Sequence, residues 1–148
     1  MSRWDWFVVA VLAAVVILIL MRKSNITGID RRVVEKIAQA IARAEGFYVN
    51  GSIPQRLNNP GDLTVDLTGR GIGKEGMFIR YATPEDGWQA LYTQIEMMLR
   101  DTSGIYNRDM SIAQVAARYT ATEQNIWATN VAKQLGVTTD TRLKDIVA

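Results

Sequence analysis

The chain contains no cysteine and no histidine among its 148 residues. The lack of cysteine excludes disulfide bonds and thiolate nucleophiles. The lack of histidine excludes Ser-His-Asp and Cys-His catalysis, and it excludes zinc sites that use histidine ligands. The carboxyl groups of aspartate and glutamate therefore remain as the obvious acid–base groups of this protein.

An excess of charge of one sign is also missing from most of the chain. The formal net charge is +2, from 17 basic and 15 acidic residues. Three of the basic residues and one of the acidic residues precede Ser24, so 14 of each sign follow it and that part is neutral. A neutral domain without a basic run is a poor nucleic-acid binder, and we expect no nucleic-acid partner.

Two weak motif signals give no cofactor site. The acidic residues Asp62, Asp66 and Glu75 could supply oxygen ligands to a cation, but no cation-binding loop signature accompanies them. The glycine-rich run Gly69–Gly73 has no strand–loop–helix context of the kind that phosphate-binding loops require. We expect neither a metal nor another cofactor, and we interpret the glycine-rich run as a hairpin tip.

One long uncharged run is present near the N-terminus. Trp6–Met21 contains no charged residue, and as a helix it would be roughly 24 Å long, slightly less than a ~30 Å hydrocarbon core. Trp4 suits one membrane interface, and Arg22 and Lys23 suit the other. A cleaved signal peptide is the alternative, but no small-residue cleavage site follows the run. We expect residues 1–23 to form a single-pass transmembrane anchor with the lipid bilayer as its partner.

The anchor is expected to lead through a short linker, 24–29, into one domain, 30–148. Basic residues that follow the span, such as Arg22 and Arg31, favour a cytoplasmic C-terminal side by the positive-inside rule. A domain that faces the cell wall would violate that rule. The orientation in the membrane therefore stays open.

The segment Val33–Glu45 has apolar residues at helical spacing and predicts an amphipathic helix. Asp30 is a plausible N-cap, and Gly46 is a natural stop that places Glu45 in the last turn. The negative end of the helix dipole and partial burial would both raise the pKa of Glu45. A glutamic acid that stays protonated near neutral pH can act as a general acid. The alternative is a solvated glutamate before a helix-ending glycine.

The rest of the pattern predicts a mostly helical α+β domain with one small hairpin. A turn-rich loop, Phe47–Gly61, precedes two strand candidates, Leu63–Leu67 and Met77–Tyr81. Helices are predicted after the cap at Thr83, over Ile112–Tyr119 behind the capping box of Ser111 and Gln114, over Gln124–Leu135, and from about Thr141. Trp88 and Trp127 stand at helical core spacing and are assigned to the core.

Several short motifs together resemble a known family. They are Ala44-Glu45-Gly46-Phe47, Asn58-Asn59-Pro60-Gly61-Asp62-Leu63, Tyr81-Ala82-Thr83-Pro84-Glu85-Asp86-Gly87-Trp88, and Ala116-Ala117-Arg118-Tyr119. In this order and spacing they resemble phage-type peptidoglycan-degrading domains of the lysozyme-like superfamily, and in particular lytic transglycosylases. The resemblance covers residues 30–137.

The resemblance implies a lysozyme-like, two-lobed domain in which a helical lobe and a small β-lobe flank a groove. It places the one catalytic acid at Glu45 and puts Tyr119 near that acid. The reaction would cleave the MurNAc–GlcNAc β-1,4 bond of a peptidoglycan glycan strand and leave a 1,6-anhydro end, without attack by water. Position 62 departs from the pattern, because we expect asparagine there and the chain has Asp62. Asp62 is then either a turn residue or the second acid of a water-using muramidase.

The remaining substrate-binding candidates each have a structural alternative. Asn58 and Asn59 could bind sugar amides or shape the turn before Gly61, and Tyr81 could stack on a sugar or pack on the hairpin. The expected function is local opening of the cell wall during phage infection or lysis. The expected location is a virion internal membrane or the bacterial inner membrane with the domain facing the wall, and other membrane or virion proteins are possible partners. The rival hypotheses are a non-catalytic structural virion protein that retains the fold, and the muramidase.

Overall fold

A computed structural model describes residues 28–148 of the chain. It is a mostly helical α+β domain with one two-stranded sheet, and the coarse fold prediction is confirmed. The elements in chain order are α1 (Arg31–Ala44), α2 (Ile53–Arg56), β1 (Gly71–Glu75), β2 (Phe78–Tyr81), α3 (Pro84–Leu99), α4 (Ile112–Tyr119), α5 (Gln124–Leu135) and a 3₁₀ helix (Leu143–Asp145).

The predicted transmembrane anchor, 1–23, and the first four residues of the predicted linker lie outside the described residues. Within residues 28–148, no helix is both long enough and apolar enough to cross a bilayer.

Helix α1 forms where its caps and its apolar stripe predict it, two residues earlier than expected. The Asp30 side chain accepts a hydrogen bond of 2.9 Å from the backbone N–H of Arg32, which satisfies one free donor of the first turn. Gly46 ends the helix with φ of +78°, a conformation that costs glycine little. Glu45 is the residue between the last helical position, Ala44, and this glycine. The helix end therefore fixes the direction in which Glu45 leaves α1.

The core lies between α1, α3, α4 and α5. Helix α1 packs against α3 and α5, α4 packs against α5, and α3 also contacts β2. Leu91, Ile95 and Met98 of α3 are fully buried, and each such side chain contributes about 1.5–3 kcal/mol to stability. Helix α3 buries the apolar face that its sequence predicts, while α1 and α5 pack against each other at the centre of the domain.

The hairpin forms, but its first strand is not where the sequence predicted it. Strand β1 is the glycine-rich segment Gly71–Glu75, and it pairs antiparallel with β2 so that Gly71 faces Tyr81 and Glu75 faces Phe78. A Cβ atom at Gly71 would lie 2.8 Å from the Ile79 side chain, so the close pairing requires a residue without one. The interpretation of the glycine-rich run as a hairpin tip is therefore wrong for Gly71–Gly73, which lie in the strand.

The predicted strand Leu63–Leu67 is irregular, although the Leu63 carbonyl oxygen accepts a backbone hydrogen bond from Ile79 of β2. Asn59 binds both the N–H and the C=O of Leu63 through its amide. Asp66 accepts hydrogen bonds from the backbone N–H groups of Thr68, Gly69 and Gly71. Such local side-chain bonds compete with sheet ladders.

The C-terminal elements follow the predicted caps. Ser111 and Gln114 form the predicted capping box at the start of α4. Gly136 ends α5 with φ of +72°. The helix expected from about Thr141 is a single 3₁₀ turn, Leu143–Asp145, whose buried Leu143 contacts the core.

Candidate active site

Asn59 builds the loop that leads into the site. It is 0% exposed, and its amide nitrogen donates to the carbonyl oxygens of Leu63 and Ile79, both at 2.9 Å. Its amide oxygen accepts from the N–H of Leu63 at 2.8 Å. A buried amide with these partners joins the loop to β2. Asn59 therefore holds the loop in place and does not face a ligand.

Asn58 fastens the same loop to the start of α3. Its amide nitrogen donates to the carbonyl oxygens of Tyr81 (3.1 Å) and Ala82 (3.3 Å), and its own φ is +53°. A Cβ atom at Gly87 would lie 1.7 Å from the Asn58 carbonyl oxygen, so the first turn of α3 sits directly on the loop. The Asn58 amide thus shapes the turn in this structure.

Gly61 and Asp62 form the end of the loop that faces α4. The Tyr119 hydroxyl donates to the Gly61 carbonyl oxygen at 2.7 Å, and a Cβ atom at Gly61 would lie 2.8 Å from the Leu91 side chain. Asp62 has φ of +47°, a left-handed conformation that costs a non-glycine residue about 1–2 kcal/mol. This fixed, strained turn aims the Asp62 side chain toward the end of α1.

Glu45 is held from the other side by Trp127 of α5. The indole N–H of Trp127 donates to Glu45 Oε1 at 2.6 Å, and the Trp127 ring stacks on Tyr119 with centroids 4.9 Å apart. The sequence assigned Trp127 to the core, and it is buried there, but its role at Glu45 was missed. The available signal was that a buried indole N–H needs an acceptor. The sequence could not say which acceptor, since 82 positions separate the two residues.

The carboxyl groups of Glu45 and Asp62 are neighbours, and each acts on the pKa of the other. Burial raises the pKa of Glu45 to about 7; the Trp127 hydrogen bond opposes this rise, and the charge and hydrogen bond of Asp62 add to it. The predicted direction of the pKa shift agrees with this result, with burial as the main cause.

Asp62 is the second carboxyl group of this pair. Burial raises the pKa of Asp62 to about 6, against the hydrogen bond from Glu45. Its Oδ1 atom is buried and receives no hydrogen bond from an N–H or hydroxyl group within residues 28–148. Because the two carboxyl groups are neighbours and both titrate near neutral pH, protonation of one depends on the charge of the other.

A cavity of about 280 Å³ lies beside this pair. It is bounded by the loop Gly61–Leu67 on one side and by α3 and α4 on the other, and Asp62 and Tyr119 belong to its wall. Glu45 is not among its lining residues. Asp62 therefore connects the half-buried carboxyl pair to the open space.

The two predicted tyrosines differ in position. Tyr81 is 1% exposed, its hydroxyl finds no hydrogen-bond partner within residues 28–148, and burial raises its pKa to about 12. A buried ring cannot stack on a sugar, so Tyr81 belongs to the packing alternative. Tyr119 lines the cavity, and burial, followed by the charge of Glu45, raises its pKa. Of the five predicted substrate-binding residues, the structure brings Asp62 and Tyr119 to the cavity.

The acidic residues considered for a cation do not converge. Asp66 accepts backbone hydrogen bonds, and Glu75 pairs with Arg56 at 2.8 Å and with Arg80 at 3.1 Å. In the part of the chain that the structure describes, no group of three or more acidic residues could hold a metal ion.

Comparison with family models, with curated proteins and with solved structures finds no match for this chain. The functional assignment therefore rests on the chain's own residues.

Proposed function

We propose that the protein is a membrane-anchored lytic transglycosylase that cleaves the MurNAc–GlcNAc β-1,4 bond of peptidoglycan, with Glu45 as its one catalytic acid. The observation that carries the proposal is the environment of Glu45. The side chain is held by Trp127 and lies against a second carboxyl group, Asp62, which lines a cavity. A pKa of about 7 keeps a substantial fraction of Glu45 protonated at neutral pH, as a general acid requires.

The chemistry needs one carboxyl group in two roles. Glu45 donates its proton to the glycosidic oxygen as the bond between that oxygen and C1 breaks. The 6-hydroxyl oxygen of the same sugar then bonds to C1, and its proton returns to the Glu45 carboxylate. The product carries a 1,6-anhydro end, no water is consumed, and the acid is regenerated for the next cycle.

The position of Asp62 favours this scheme over a two-carboxylate hydrolase. Glycosidases that use two carboxyl groups hold them about 5–5.5 Å or about 6.5–9.5 Å apart, on either side of the bond that is cut. Asp62 neighbours Glu45 and contributes to its raised pKa. Within residues 28–148, Asp62 is also the one acidic residue that lines the cavity, so no second carboxyl group faces the pair from the opposite wall.

The lysozyme-like arrangement, the anchor and the location are part of the same proposal. The cavity lies between the loop that precedes the hairpin and helices α3 and α4, where a two-lobed domain would place a glycan groove. The uncharged run Trp6–Met21 would hold the domain at a virion internal membrane or the bacterial inner membrane. Such a tether restricts cutting to wall near the bilayer and suits local opening during infection or lysis.

The test is digestion of purified peptidoglycan by the full chain and by Glu45→Gln, with mass spectrometry of the released fragments. We expect fragments with anhydro ends from the parent and none from the variant. Reducing ends would replace the transglycosylase with a muramidase. Equal release by both proteins would remove Glu45 from the catalytic role.

A second candidate is a glycan-binding structural protein without catalysis. The observation that favours it is that the walls of the cavity include Asp62 and Tyr119 but not Glu45. In that case the parent would bind peptidoglycan in a sedimentation assay and release no fragments, and Glu45→Gln would bind equally well.

A further inference from the structure

The outer side of α1 is positively charged, although the domain as a whole is neutral. From the cap at Asp30 to Ala44 the chain carries a net charge of +2, whereas the chain from Ser24 onward has none. The basic residues of this helix are Arg31, Arg32, Lys36 and Arg43. Arg31 and Arg32 each pair with an acidic neighbour, while Lys36 and Arg43 form no ion pair within residues 28–148. The outer side of α1 is therefore suited to an anionic partner.

A row of four aromatic side chains lies beside this helix, along its contact with α3. The row consists of Tyr48, Phe47, Trp88 and Tyr92, in that order. Its neighbouring ring centroids lie 5.4, 5.5 and 5.9 Å apart. The Arg31 guanidinium lies over the Tyr92 ring at 4.7 Å, and that of Arg43 lies over the Tyr48 ring at 5.1 Å. Tyrosine and tryptophan rings next to basic side chains are typical of surfaces at a membrane–water interface.

The loop that follows α1 adds exposed apolar side chains to this surface. Tyr48, Val49 and Ile53 are 50%, 62% and 43% exposed. The Tyr48 hydroxyl donates to the Gln39 side chain at 2.5 Å, which holds the loop against the outer side of α1. Exposed apolar side chains that lie close together are typical of an interaction surface. The outer side of α1, the aromatic row, Val49 and Ile53 are together called the docking face.

The docking face and the cavity lie on opposite sides of α3. Gln94 and Met97 are the α3 residues that line the cavity. At about 100° per residue, their side chains point roughly 170° away from those of Trp88 and Tyr92. No residue of the docking face lines the cavity. A surface that lay against the docking face would therefore leave the cavity open on the far side of the domain.

The start of α1 is also the point at which the chain leaves the predicted anchor. Eight residues, 22–29, separate the uncharged run from Asp30, and an extended chain of this length reaches at most about 29 Å. The 14 residues of α1 make a helix roughly 21 Å long. The tether therefore keeps α1 near the bilayer surface, close enough for the whole helix to lie along it.

We propose that the docking face lies against the headgroups of an anionic bilayer. The basic side chains of α1 meet the phosphate groups, and Tyr48, Val49 and Ile53 reach the boundary with the acyl chains. This inference rests on the membrane anchor of the proposed function and goes beyond it, because it gives the domain a fixed orientation. A domain docked in this way presents its cavity to the side away from the bilayer, where the proposed substrate lies.

The test uses the full chain in lipid vesicles and the lack of a native cysteine. Val49→Cys on the docking face and Ile105→Cys at the cavity are labelled with the same fluorophore. The two positions are a matched pair, because the native side chains are 62% and 60% exposed. A quencher attached to the lipid headgroups reports which label lies near the bilayer. In vesicles of phosphatidylglycerol and phosphatidylcholine we expect strong quenching at position 49 and weak quenching at position 105.

The charge of α1 is tested in the Val49→Cys background. Arg43→Gln should lower the ratio of docked to undocked domain about fivefold, the usual scale for one basic side chain near an anionic membrane. Arg118→Gln makes the same change at an exposed arginine of the cavity wall and should leave the ratio unchanged. Arg43→Lys keeps the charge and should retain docking, which excludes lost packing on Tyr48 as the cause. High salt, or vesicles of phosphatidylcholine alone, should also weaken the quenching.

The outcomes separate docking from the anchor and from catalysis. Equal quenching at positions 49 and 105 would overturn the docking face, as would equal ratios for Arg43→Gln and Arg118→Gln. If the chain then still floats with every vesicle, the anchor stands. A chain that floats only with anionic vesicles and is released by salt loses the anchor and keeps the docking face, and a chain that floats with neither kind of vesicle loses both. Cleavage of peptidoglycan by the same samples tests the catalytic proposal independently.

Discussion

Glu45 and Glu75 are the same side chain in two opposite environments. Glu45 is largely buried against Asp62, and burial raises its pKa to about 7. Glu75 is a half-exposed residue of β1, where hydrogen bonds from Arg56, followed by those from Arg80, lower its pKa. The first environment favours the protonated acid and the second favours the carboxylate. Position, and not residue type, makes one of them a candidate acid.

The largest expected effect separates these two residues in activity. Glu45→Gln should lower cleavage of peptidoglycan by about 10²–10⁴-fold, the usual contribution of a general acid. Glu75→Gln makes the same chemical change at the half-exposed position and should leave the rate unchanged. The rate of fragment release under identical conditions measures both. Similar losses for the two variants would show that the environment of Glu45 has no catalytic meaning.

The next effect is on stability as the pH rises. Because the folded pKa of Glu45 lies above its usual value of 4.5, folding disfavours its charged form. The protonated Glu45 side chain makes its full contribution to the free energy of unfolding below about pH 4.5, and this contribution is lost as the pH rises to about 7. The loss should be about 3 kcal/mol in the free energy of unfolding.

Urea unfolding of the parent and of Glu45→Gln at several pH values checks this loss, which the variant should reduce. Glu75 acts in the other direction, since its lowered pKa gives stability that is lost only as the pH falls below about 4.5. The pH range in which Glu45 changes the stability therefore does not overlap with the pH range in which Glu75 does. A parent whose stability is constant between pH 4.5 and 7 would contradict the buried position of Glu45.

Removal of the indole donor should change both stability and the pH profile. Trp127→Phe deletes the hydrogen bond that lowers the pKa of Glu45, so the alkaline limb of the rate profile should move to higher pH. The unpaired Glu45 oxygen and the smaller ring should cost about 1–3 kcal/mol. Trp88→Phe is the control, because Trp88 packs against the core and its pairing is with other aromatic rings. A shift of equal size in the control would assign the effect to packing.

The smallest expected effect concerns Asp62. Asp62→Asn removes the neighbouring charge that raises the pKa of Glu45, so the alkaline limb should move to lower pH by less than about one unit. Asparagine tolerates the left-handed backbone at this position. At pH values below the shifted alkaline limb the variant should stay active, as a single-acid mechanism requires. Complete loss of activity at every pH would instead make Asp62 a second catalytic acid.

The features that depend on neighbouring residues could be predicted from the sequence. Asp30, Thr83 and Ser111 cap their helices as expected, because each is followed at once by helix-forming residues. Glu45 lies at the end of α1 for the same reason, since Gly46 stops the helix beside it.

The features that depend on distant residues could not be predicted. Strand β1 was misplaced because the distant Asn59 side chain ties Leu63 into the loop, while the glycine-rich segment Gly71–Glu75 pairs with β2. The contact of Trp127 with Glu45 and the pairing of Glu45 with Asp62 both join elements that are far apart in the chain. Periodicity reports which face of a helix is buried, but it does not report what that face meets.

The contact of Gly87 with the Asn58 carbonyl oxygen has a consequence for how this domain can change. Even one added carbon atom at position 87 would act as a wedge and force the start of α3 away from the loop. The same loop ends at Asp62, so such a wedge would disturb the acid pair from the far side of the turn. A variant at this position would lose function with every polar group of the site still present, and a search limited to ionisable residues would not find it.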